Sequence, residues 1–276
     1  MPLVAMTREM GSLGKDVAAA ISARLGKPVI HHEIIDHLAN KMRLRKSHVI
    51  RFLDGKANMW ERLTTDKTSM AIYTADETLA LAESDGVAVI RGWGSAHLLR
   101  PIRHVICVRV CAPLNVRVRR MMERLNTEDE EFITNEIKLS EEAHAAITRR
   151  HFGVNWQDWE QYDMVLNTER VAVEECTDEV MALVNQPQFR ETGESRRMLK
   201  NLALESHVRV ALRADARTAT MQITVEVDGG TVTLAGIVDR GVEPAHATEV
   251  ATRVPGVKDA RNELKVATTS RVKVDH

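Results

Sequence analysis

The sequence predicts an open, mainly parallel α/β sheet flanked by helices, followed by a small α+β module. Three observations lead there. Short apolar, β-branched runs alternate with stretches of helical periodicity through the first two-thirds of the chain. The first of these runs enters a Gly-rich turn and leaves it as a helix, and a polar, aperiodic stretch from about Asn185 to Ser195 divides this rhythm from a different order of elements.

Taken in order, Leu3–Met6 reads as a first strand and Lys15–Leu25 as a helix ending at Gly26. Pro28–Ile30 gives a short second strand, and a helix is expected from Glu33. Val87–Ile90 and Val105–Val110 are β-branched and bounded by turn residues, as buried parallel strands are. After the second of them Ala112-Pro113 puts a proline where a helix starts, and Leu114–Leu125 carries apolar residues at helical spacing. Met164–Leu166 is a further strand and Val173–Val184 the closing helix. Ligands of such a sheet are expected at the carboxyl ends of its strands.

Gln186-Pro187-Gln188 and Glu191-Thr192-Gly193-Glu194-Ser195 are turn formers without periodicity, so the expected division is a domain over 1–185, a linker over 186–196, a second domain over 197–268 and a tail over 269–276. In the second domain a helix near Arg197–Arg213 precedes strands at Met221–Val227 and Thr231–Val238, joined by Asp228-Gly229-Gly230. A helix at Glu243–Arg253 and a strand at Asp259–Val266 follow. Ile223, Val225 and Val227 alternate with Thr224, Glu226 and Asp228, so one face is buried, and helices on one side of an antiparallel sheet are expected.

Composition narrows the function classes. The chain has 276 residues, 44% hydrophobic and 28% charged, with a formal net charge of -1. That is ordinary globular composition without the basic footprint of a nucleic-acid binder, so no nucleic acid is expected as partner. No run approaches ~18 apolar residues and the N-terminus lacks the basic and apolar regions of a secretory signal. A cytoplasmic protein with no transmembrane segment is the expectation. Cys107, Cys111 and Cys176 fit neither a disulfide framework nor a zinc spacing and read as buried free thiols.

The chemistry concentrates in Met6–Ala18, MTREMGSLGKDVA. N–H groups at a helix N-terminus are unpaired and point outward, so with the helix dipole and a lysine they surround a polyphosphate readily. A nucleotide is the natural guest. The full P-loop pattern, G-x-x-x-x-G-K followed by Ser or Thr, is only half met: Glu9 stands at the first glycine and Asp16 at the hydroxyl. A carboxylate about 4 Å from a phosphate charge costs roughly 4 kcal/mol at an effective dielectric of ~20. Either Asp16 points away, or it holds a metal.

Thr7 to Ala18 resembles the opening of the cytidylate-kinase-like branch of the nucleoside monophosphate kinases, which reads S-R-E-x-G-S-G-G, then Arg or Lys, Glu, Ile or Val, and Ala. Glu9 and Asp16 match that branch. The resemblance continues through His32-Glu33-Ile34-Ile35, Val89-Ile90-Arg91-Gly92, Val110-Cys111-Ala112-Pro113-Leu114, Phe152-Gly153-Val154-Asn155-Trp156 and Tyr162–Thr168, over about residues 1 to 185. It implies a P-loop NTPase-type fold, ATP and Mg²⁺ as cofactors, and transfer of the γ-phosphoryl to a nucleoside monophosphate. Catalysis of this kind is positioning and charge neutralisation. On this resemblance Gly11, Ser12, Leu13, Gly14, Lys15 and Asp16 bind the nucleotide, with Lys15 on the β/γ-phosphates and Asp16 the metal candidate. Arg91 grips the acceptor phosphate, and Asp36 holds its ribose or base. Arg91 is otherwise a surface ion-pair residue, and Asp36 a helix-surface carboxylate.

Asn126 to Arg150 resembles the family's lid, with departures. Where the family shows D-x-x-R and then an aromatic, this chain has Glu141 and His144, then Ile147 and Thr148. An imidazole cannot replace a permanent forked cation, and one such arginine is worth on the order of 10³-fold in rate. Arg149 and Arg150 are the candidates to compensate, or are solvated charges of the lid. At His32-Glu33 the family has Asp-Arg, and Glu33 reads as helix N-terminal charge or as the mark of a changed acceptor. Trp156, Trp159 and Tyr162 are expected to pack into the core.

Residues from about Arg197 to Thr268 resemble a BON module, carried by Val210-Ala211-Leu212, Val225–Gly236, Val254-Pro255-Gly256-Val257 and Asn262-Glu263-Leu264. The resemblance implies a lipid or protein ligand, or a homo-oligomer. Three functions therefore stand open: an active nucleotide kinase, a catalytically weak nucleotide sensor whose second module engages a partner or a surface, and a scaffold that binds no nucleotide.

Overall fold

A computed structural model describes residues 2–30 and 67–267, apart from 85, 93 and 240–242, with a few isolated positions between 39 and 49. The chain divides into two compact units between Arg196 and Arg197.

In the first unit five strands, β1 (Leu3–Arg8), β2 (Val29–Ile30), β3 (Val89–Arg91), β4 (Val105–Cys111) and β5 (Met164–Asn167), form one sheet in the order β2-β3-β1-β4-β5. Every pairing is parallel. Helices cover both faces of such a sheet, so β1 is an unbroken apolar run, buried from Leu3 to Thr7. It runs two residues beyond the expected end, because Thr7 and Arg8 pair with Arg109 and Val110. That extension carries Arg8 to the carboxyl edge. Arg91, paired with Met6, ends β3 beside it.

The helices are α1 (Gly14–Leu25), α2 (Lys67–Glu83), α3 (Ser95–Leu99), α4 (Leu114–Leu125), α5 (Glu130–Phe152) and α6 (Val173–Val184). Val17 and Ile21 of α1 and Cys176 and Val180 of α6 share one core with Met6, Ile106 and Val108 of the sheet. The lid-like segment is α5. Asp129 caps it, its side chain accepting from the Phe132 N–H at 2.8 Å, and Gly153 ends it in the left-handed conformation. Ile133 and Ile137 of α5 bury against Val118 of α4. The helix α2 gave no sequence signal, since Ser69, Thr74, Asp76, Glu77 and Thr78 are buried polar residues that blur its apolar stripe. The helix expected from Glu33 lies outside the described residues.

In the second unit β6 (Gln222–Asp228) and β7 (Thr231–Val238) form a hairpin through Gly229 and Gly230, at φ 59° and 97°. The expected antiparallel sheet is corrected at the third strand: β8 (Asp259–Val266) runs parallel to β7. The helix α8 (Pro244–Thr252) lies between them in the chain and returns it to the starting end, as a crossover does. Val208 and Leu212 of α7 (Gly193–Ala214), Val225, Val232 and Leu234 of the sheet and Ala247 and Val250 of α8 form its core. α7 begins within the stretch expected as linker, where Pro187–Phe189 also makes one turn of 3₁₀ helix. No described helix is long and apolar enough to cross a membrane.

Candidate functional site

The Gly-rich turn is held from below. Glu9 N–H donates to the Val110 carbonyl at 3.0 Å, and Ser12 Oγ donates to the Glu9 carbonyl at 2.8 Å and is 3.0 Å from the Val110 carbonyl. Gly11, at φ 81°, is obligatory in a second sense: a Cβ there would stand 2.8 Å from the Arg117 carbonyl oxygen. At Gly14 a Cβ would meet that of Arg8 at 2.6 Å, so the helix starts flush against the end of β1. Leu13 occupies the left-handed region at φ 59°, where the family pattern has glycine. Asp16 and Val17 donate their N–H groups to its carbonyl. The N–H groups of Gly14 and Lys15 belong to the open first turn of α1, whose donors have no partner within a helix.

Above this turn lies a cleft of about 740 Å³ lined by Gly11 to Asp16, Arg8, Glu9, Arg91, Arg120, Met121, Glu123 and Arg124. Five cations and three carboxylates line it. Arg91 is 6% exposed, and burial first, then neighbouring Arg8, push its pKa down to about 10, with Asp16 acting the other way. It stays charged at neutral pH while poorly hydrated, which favours an anion beside it. Arg120 spans from the cleft to the end of β5, donating from Nη1 to Thr168 Oγ1 at 3.0 Å and from Nη2 to the Thr168 carbonyl at 2.7 Å. Thr168 Oγ1 in turn donates to the Ser12 carbonyl at 2.8 Å, tying the turn to the fifth strand.

Beneath the turn sits a buried ionic cluster. Glu9 Oε1 takes Arg109 Nη2 at 2.6 Å, while Glu9 Oε2 lies 3.3 Å from Arg117 Nε and accepts the Ala112 N–H at 3.2 Å. Arg117 also donates from Nε to the Ala112 carbonyl at 2.8 Å and from Nη1 to the Met10 carbonyl at 3.4 Å. On its far side Nη1 pairs with Glu141 Oε1 of α5 at 2.7 Å, a close ion pair without hydrogen-bond alignment. Arg109 stands over the Trp156 ring, 5.2 Å from its centroid, and donates to the Gln157 carbonyl. His144 stacks on the same indole. Burial, then His97, Arg8 and Arg109, bring its pKa down to about 4, so it is neutral at pH 7.

The six turn residues Gly11 to Asp16 and Arg91 come together at the cleft. Arg149 and Arg150 are exposed on α5 and do not line it; Asp36 lies outside the described residues. Glu141 and His144, expected as lid departures, turn inward to Arg117 and Trp156. Arg8, Arg120 and Arg124 were not anticipated. Arg117, Arg120 and Arg124 share one stripe of α4 just past the carboxyl end of β4, and that spacing was the available signal. Trp156 is core at 1% exposure, but Trp159 is corrected to a surface residue at 71%, because it opens a single 3₁₀ turn none of whose residues is buried. Cys107 and Cys176 are buried free thiols and Cys111 a partly exposed one; burial lifts Cys107 to about 12. Among the described residues no three His, Cys, Asp or Glu side chains group to hold a metal.

Residues 3–170 match the cytidylate kinase-like family and residues 201–268 the BON domain. The chain is 26% identical over 159 residues to a cytidylate kinase of Methanothermobacter thermautotrophicus, covering 57% of this chain and 89% of that protein. Among solved structures, an uncharacterized protein from Eubacterium ventriosum superposes with a TM-score of 0.53 at 19% identity, covering 67% of this chain and 99% of that one. A shikimate kinase from Bacteroides thetaiotaomicron gives 0.44 at 13% identity, with 67% and 99% covered. The first likeness shows the fold.

Proposed function

We propose, from the premise that the chain belongs to the cytidylate kinase-like family, that its first unit transfers the γ-phosphoryl of ATP to a nucleoside monophosphate or a related acceptor. The observation that carries this is the cleft, where five cations and the open N-terminus of α1 meet over a glycine turn. The cations outnumber the carboxylates of Glu9, Asp16 and Glu123 that line the same cleft, and a polyphosphate suits that surplus. Gly11 and Gly14 let the Arg117 backbone and the Arg8 side chain pack directly on the turn, which seats the open first turn of α1 at the end of β1. Lys15 serves the β/γ-phosphates, and Arg91, buried and beside Arg8, serves the acceptor phosphate. Asp16 would hold Mg²⁺ together with the phosphate oxygens; that ion neutralises phosphate charge when bound. Such a reaction belongs in the cytoplasm, where ATP is supplied.

A second reading keeps the nucleotide and gives up turnover. It is favoured by His144, neutral and stacked on Trp156 where the family pattern has an arginine. The second unit would then pass the nucleotide signal to a lipid or protein partner, or to another copy of the chain. ADP release measured with ATP, Mg²⁺ and each nucleoside monophosphate separates the two, run beside calorimetric ATP binding to wild type and Lys15→Ala. Turnover with one acceptor supports the kinase, and binding without turnover supports the sensor. Lys15→Ala is expected to weaken ATP binding about tenfold or more in both; ATP binding that ignores this change defeats both.

A further inference from the structure

Arg117 contributes more to the turn than its own charge. Its carbonyl oxygen is what closes the space at Gly11, its Nη1 reaches the Met10 carbonyl, and its Nε lies against the Glu9 carboxylate. Three positions of the turn therefore take their shape from one residue of α4. The same guanidinium is held from the opposite side by Glu141 of α5, and Met10 of the turn packs on the small apolar cluster that seats α5 on α4. With Arg117 only 6% exposed, these charges have little water to fall back on, and withdrawing one carboxylate leaves the cation to re-partner with the other.

We propose that Arg117 is a positioning residue that couples the seating of α5 to the shape of the phosphate turn, with Glu141 and Glu9 as its two contacts. This rests on the nucleotide reading of the cleft above. When Glu141 draws away with α5, Arg117 shifts toward Glu9 and the Met10–Gly11 backbone loses its support. By linkage the effect runs both ways, so a triphosphate in the cleft holds α5 down. Glu141, which stands where the family shows aspartate, thus acts through Arg117 and not on the reacting atoms.

Backbone hydrogen exchange of the full chain tests this, with and without ATP, for wild type, Glu141→Ala and the isosteric Glu141→Gln. Expected are faster exchange at residues 9–14 in both variants, unchanged protection in β4 and α6, and ATP binding weakened about tenfold in Glu141→Ala. In wild type ATP should slow exchange around residue 141, and in Glu141→Ala it should not. Variants with wild-type exchange at 9–14 overturn the proposal, as does a loss of protection spread evenly over the unit. Should wild type bind no ATP, the nucleotide reading falls, and exchange at residues 9–14 still decides the coupling. If Glu141→Ala does not fold, Glu141→Gln carries the same measurements.

Discussion

The indole of Trp156 and the imidazole of His144 lie face to face, their centroids 4.4 Å apart and their planes within 4°. An imidazolium in that place would be desolvated next to His97, Arg8 and Arg109, which is why the neutral ring is kept down to about pH 4. Between about pH 6.5 and about 4 the unfolded chain binds a proton here that the folded chain refuses. Stability therefore falls as pH falls through that window and levels off beneath it, by up to about 3 kcal/mol from this group. His97, lowered to about 4 by burial and Arg100, adds in the same sense. Denaturant midpoints at several pH values should show a shallower fall for His144→Phe, which keeps the stack. An identical profile would place the proton elsewhere.

Restoring a cation at the same position separates stability from rate. His144→Arg puts a second guanidinium against an indole that Arg109 already faces, so the fold should lose about 1–3 kcal/mol. Any phosphotransfer should nevertheless rise, by roughly tenfold or more, if a lid cation is what the reaction lacks. ADP release under saturating ATP measures it. An unchanged rate would mean that the cleft arginines already neutralise the transferred group.

Two positive-φ positions in the turn should differ in their tolerance of substitution. Gly11→Ala must displace the Arg117 backbone, since its Cβ would come within 2.8 Å of a carbonyl oxygen, and about 2 kcal/mol or more of stability should be lost. Leu13→Gly removes a left-handed strain of about 1–2 kcal/mol and brings a chain-entropy cost of about 0.5–1 kcal/mol. Its thermal midpoint should stay near wild type. A Gly11→Ala protein as stable as Leu13→Gly would contradict the described packing.

How much of this was legible depended on how local each cause is. The parallel strands announced themselves because both faces of Leu3–Thr7 and Val105–Val108 are buried and every residue must be apolar or small. The cradle was legible because Gly11 and Gly14 answer to a turn and a helix start within a few residues. The third strand of the second unit was placed correctly but in the wrong direction, since direction depends on where α8 returns the chain and not on the pattern of Asp259–Val266. Arg149 and Arg150 drew attention by their place beside a motif, whereas Arg120 and Arg124 face the cleft through the rotation of α4. Helix rotation against a sheet is a tertiary property. For the same reason Glu141 and His144 read as missing chemistry, and only folding reveals that they are occupied by Arg117 and Trp156.

The knot of Glu9, Arg109, Arg117 and Glu141 constrains how this sequence can drift. Changing any one member leaves two cations to share one carboxylate, or two carboxylates one cation, with little water nearby, so single steps away from the quartet are penalised while concerted replacement by apolar side chains is not. Descendants should carry all four together or have exchanged them as a set, and a lineage caught with three would be paying for it in abundance.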